Sequence, residues 1–146
     1  LYSSPFIQGW SIVLTALWLK FNWFEPKWFV EVVDFWQKRK VPIITIQWLS
    51  HGTIILTPMD LLLAEEPALL AKHCMPFSHL VIAIWVFAFY YIIQTDLLFA
   101  MNGGVWPYPF LKVFATPVKQ FMLVSAISVA VTAISGCTWL LCKNLA

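Results

Sequence analysis

Four stretches of about 20 largely apolar residues, 5–24, 41–64, 79–101 and 120–142, limit what this chain can fold into. An α-helix rises 1.5 Å per residue, so about 20 such residues cross a hydrocarbon core ~30 Å thick. A spanning segment must satisfy its own backbone hydrogen bonds, which leaves helices as the solution for runs of this length. The expectation is an all-α fold: a polytopic transmembrane helical bundle of about four spans, forming a single membrane domain over 1–146. Composition points the same way, because 61% of residues are apolar and 11% are charged, against roughly a quarter charged in soluble domains. Nine Trp and four Tyr suit the headgroup level at both faces of a bilayer.

The segment 26–40 differs from the spans. Trp28, Phe29, Val32, Val33, Phe35 and Trp36 recur at helical spacing, while Lys27, Glu31, Asp34 and Lys38 take the other face. Such a pattern predicts an amphipathic helix, lying either in the membrane interface or against neighbouring protein. Pro26 suits its first turn. Seven basic residues, Lys20, Lys27, Lys38, Arg39, Lys40, Lys112 and Lys119, fall on the side of the first and third connections, against Lys72 and Lys143 on the other. The positive-inside rule then turns the first side to cytoplasm, matrix or stroma.

A net charge of +2 with no long basic block excludes a nucleic-acid partner. Cys74, Cys137 and Cys142 show no metal-ligand spacing and read as free packing residues, so no metal site is expected. No haem pair can be assembled, since His51 is the only mid-membrane His and Met59, Met101 and Met122 lie near the faces. The expected ligands are membrane phospholipids and no cofactor; the expected partners are lipids and the helices of other membrane subunits.

Buried polar groups are costly in hydrocarbon, which singles out Gln47, His51, Asp60, His79 and Asp96. Helical rise puts His51 and Asp96 at similar depth, ~20 to 25 Å from the second connection, with Gln47 one turn deeper. Asp60 and His79 form a second candidate pair near the opposite face. These pairs either join helices by hydrogen bonds or, for His51 oriented by Asp96, move protons. In the last span Ser128, Thr132 and Gly136 recur every four residues, beside Ala126 and Ala130, and predict a close-packing seam. Val131 lies about 140° around the helix from Gly136 and is expected to face away from it.

Trp48-Leu49-Ser50-His51-Gly52, Pro58-Met59-Asp60-Leu61-Leu62, Tyr90-Tyr91 and Trp106-Pro107-Tyr108-Pro109-Phe110-Leu111 resemble the androgen-induced and rolling-stone family of multi-spanning membrane proteins. Gln8-Gly9-Trp10-Ser11 adds a fainter likeness. That family is usually longer, with five or six spans, and some members hydrolyse fatty acid esters of hydroxy fatty acids with a Thr nucleophile and a His. The resemblance places Thr15 near the nucleophile position. It puts Ile54 where the catalytic His would stand, leaving His51 to act as base in a hydrolase. The functional expectation is a non-catalytic accessory subunit packed in a larger, organellar membrane complex. A mitochondrial inner membrane is the first expectation for its location and an endomembrane the second; a lipid-ester hydrolase using Thr15 and His51 is the functional alternative.

Overall fold

A computed structural model describes residues 4–42, 45 and 74–144. The described elements are α1 (Ser4–Phe24), α2 (Pro26–Gln37), α3 (Phe77–Met101), a 3-10 helix η1 (Pro109–Phe114) and α4 (Pro117–Asn144). Every regular element among the described residues is helical. Two of them, α3 with 25 residues and α4 with 28, are long and apolar enough to cross a membrane. Helix α1 is continuous over the first expected span, 5–24. The expected second span, 41–64, lies outside the described residues except at Val41, Pro42 and Thr45.

The helix ends follow local chemistry. Thr116 starts α4: its carbonyl accepts from the Gln120 N–H at 2.9 Å and its hydroxyl from the Lys119 N–H at 3.5 Å, with Pro117 next in the first turn. Helix α3 stops where Gly103 (φ 66) and Gly104 (φ 81) take the left-handed conformation, and Gly104 N–H closes onto Phe99 O at 3.0 Å. The amphipathic segment forms α2, with Val32 and Phe35 buried against the rest of the chain.

Helix α4 packs chiefly against α1 and α3. Its buried residues are Val124, Ser128, Val131, Ser135 and Cys142, at steps of four, three, four and seven. Steps of four alone turn the helix 40° too far each time, so Thr132 and Gly136 drift to the half-buried margin while Val131 stays on the seam. Val131 is fully buried, 0% exposed, which corrects the expectation that it faces away from the contact. Opposite it, Gly9 lets α1 approach: a Cβ there would run into the Ser135 hydroxyl and meet the Val131 carbonyl at 3.0 Å. This is the close backbone contact that small residues permit between helices without a hydrophobic drive to associate.

Helix α3 buries Leu80, Ile84, Ala88, Ile92 and Thr95 on one stripe. Its opposite face exposes Ile82, Val86, Phe89, Tyr90, Ile93 and Leu97. A helix apolar all round is at home where both faces avoid water.

Candidate functional site

The four described helices and η1 converge on an apolar cavity of about 160 Å³. Helix α1 supplies Trp10, Leu14 and Leu17, and α2 turns Trp28, Phe29 and Val32 toward it. Phe87, Ala88, Tyr91 and Ile92 come from α3, Leu123, Val124 and Ile127 from α4, and Tyr108 to Leu111 close the remaining side. Spacing explains the convergence: Phe87, Ala88, Tyr91 and Ile92 are neighbours at one, four and five residues, which an α-helix brings to one side.

Aromatic rings set much of the wall. Trp10 lies edge-on to Phe87, with centroids 4.9 Å apart, and Phe6 backs both at 6.4 and 5.8 Å. Trp10 is 8% exposed, and its indole N–H has no partner among the described residues. The Tyr91 and Tyr108 rings stand 6.5 Å apart, which brings α3 against the loop before η1. Burial pushes the Tyr108 hydroxyl above the usual tyrosine range, and the neighbouring Tyr91 hydroxyl offsets part of that rise. Trp106, next in the same loop, stacks on Phe99 at 4.2 Å and is buried with Pro107 and Pro109. The Trp106-Pro107-Tyr108-Pro109 run therefore folds inward as a plug under the bundle. Two fixed φ angles at its prolines reduce the cost of ordering it.

A charged collar stands at this same end. Lys112 Nζ reaches Glu31 at 2.9 Å, and Arg39 donates to Asn102 Oδ1 at 2.8 Å while its guanidinium lies 3.5 Å from the Phe35 ring centroid. The first and third connections, which carry most of the basic residues, are thus brought together.

The polar residues singled out by sequence are dispersed. Asp96, half-buried, accepts from Gln120 Nε2 at 2.8 Å, a partner on α4 that depth-matching with Gln47 and His51 overlooked. His79 is exposed in the first turn of α3. Thr15 is half-buried on α1 but absent from the cavity wall. Ser128 is buried on α4, while Thr132 and Gly136 are half-buried, Gly136 beside the Phe77 ring at the start of α3. Gln47, His51, Ile54 and Asp60 lie outside the described residues, so the pairs His51–Asp96, Gln47–Asp96 and Asp60–His79 and the Thr15–His51 arrangement do too.

Among the described residues no group of three His, Cys, Asp or Glu could hold a metal ion. What the site can do is receive an apolar group: its walls offer rings and aliphatic chains. The cavity residues Trp10, Leu14 and Ala88 were not singled out by sequence, where Trp10 carried only a faint likeness to a family helix start. No protein-family model, curated protein or solved structure matches this chain.

Proposed function

We propose that this chain is a non-catalytic integral membrane protein that packs among other membrane helices and holds the apolar end of a lipid in its bundle. The carrying observation is the cavity of about 160 Å³ between α1, α2, α3, α4 and η1. An apolar cavity of ~150 Å³ stays dry and binds one benzene ring, so a space of this size takes a ring or the end of an acyl chain. Support for the membrane setting comes from α3 and α4, whose outward faces expose Ile82, Val86, Ile93, Leu97, Met122 and Val129. Exposed apolar surface of this extent meets either lipid or another helix. An organellar complex remains the reading for its surroundings, with the charged collar turned to the matrix or cytoplasm.

The hydrolase alternative requires Thr15 to open onto the lipid site. Helix α1 presents Trp10, Leu14 and Leu17 there instead, none of which can act as a nucleophile.

Native mass spectrometry of protein released in mild detergent tests the ligand reading. Wild type should carry a lipid adduct, and Ala88→Leu, which places three more carbons against the cavity, should lose it while keeping its helical circular dichroism. A bare wild-type protein, or equal adducts in both, would remove the cavity from the function.

A further inference from the structure

The entry to α3 is fastened to the last turns of α4 by two neighbouring contacts. Trp139 donates its indole N–H to the Met75 carbonyl at 2.9 Å. The Phe77 ring lies 3.5 Å from where a Cβ on Gly136 would sit. One turn further along α4 from Trp139, Cys142 neighbours Cys74, the residue before Met75. Both cysteines are free and buried, whereas Cys137 is free and exposed. Sequence alone read all three as packing residues, since 74 and 142 have no spacing relation that would pair them.

We propose that Cys74 and Cys142 are a redox pair that a peroxide converts to an intramolecular disulfide, locking the start of α3 to the end of α4. The Cys74 thiolate attacks one peroxide oxygen, and the O–O bond breaks. The departing hydroxide takes up one proton and leaves as water, and Cys74 becomes a sulfenic acid. The Cys142 sulfur then attacks the Cys74 sulfur, the S–O bond breaks and a second water leaves. In sum, two thiols and one peroxide give one disulfide and two waters.

Position favours this outcome over deeper oxidation. The second cysteine is a neighbour in the same chain, so the closing step is intramolecular and outruns bimolecular attack by another peroxide. Lys143 beside Cys74 favours the thiolate, while burial pushes the Cys74 thiol up more strongly. Initiation is therefore slow, and closure after it is fast. Closing the long loop between 74 and 142 restricts the unfolded chain, so the oxidised protein melts higher.

The full chain in detergent micelles is treated with hydrogen peroxide, denatured, and its remaining thiols alkylated. The intact mass should fall by two hydrogens, the alkylated cysteines should drop from the three of the reduced chain to one, and peptide mapping should join 74 to 142. Cys142→Ser should show no internal link under the same treatment. Three alkylatable cysteines after peroxide, a gain of oxygen in place of the lost hydrogens, or a link through Cys137 would each overturn the pair.

Discussion

The hydrogen bond from Gln120 to Asp96 is the clearest polar join between α3 and α4. Interhelical bonds of this kind in membranes contribute about 0.6 kcal/mol on average and reach ~1.7 kcal/mol. A double-mutant cycle with Asp96→Leu and Gln120→Leu in detergent unfolding should give a coupling energy inside that range, and additive losses would show that the bond contributes nothing. Tyr108 offers a pH test. Its folded pKa is raised, chiefly by burial. Its contribution is thus complete below the unfolded value of about 10 and is lost as pH rises through the folded value. Melting of the wild type should fall more between pH 8 and pH 11 than melting of Tyr108→Phe, which has no proton to lose; parallel falls would place the phenol in water. Neither partner choice was legible in the sequence. Depth along a helix ranks candidates only on spans whose order and rotation are known, and Asp96 found Gln120 across the short connection that its own helix leads into.

At the scale of elements, binary pattern carried further than motif. The 26–40 pattern placed an amphipathic helix, and α2 buries Val32 and Phe35 from its apolar stripe. In α4 the buried positions follow a different period from the small residues. Three small residues at steps of four suggested one face, whereas the contact follows steps of four and three that hold Val124, Ser128, Val131 and Ser135 inside. Substitutions at these positions read the contact directly. Val131→Leu adds a methylene at a site with no free surface, and overpacking of this kind costs about 1–3 kcal/mol. Gly136→Ala puts its Cβ at 3.5 Å from the Phe77 ring, an ordinary contact, and should be tolerated. Gly9→Ala meets backbone at 3.0 Å as well as the Ser135 hydroxyl, so α1 must move off α4; it should lower the melting temperature more than Gly136→Ala. Equal melting temperatures for all three would mean that α1 does not pack here.

For the molecule as a whole, the decisive question is what covers the outer face of α3. Val86 and Ile93 are 63% and 57% exposed, on a helix that is long and apolar enough to cross a bilayer. In water, a charged residue at such positions changes stability by no more than about 0.5 kcal/mol and improves solubility. In hydrocarbon the same change near the middle of a span costs ~2.5–3.5 kcal/mol on the insertion scale. One substitution therefore reads the solvent. Composition made this inference legible from the start, because hydropathy depends on residue types and not on how they meet. The cavity was not legible, since its wall is drawn from all four helices and η1 and exists only once they are packed. Val86→Arg and Ile93→Arg together should abolish recovery of the chain from carbonate-washed membranes, while Leu80→Ile, a volume-conserving change inside the bundle, should leave recovery intact. If the double arginine variant instead appears folded in the aqueous fraction at wild-type yield, the exposed face meets water, and the bilayer reading of α3 falls with it.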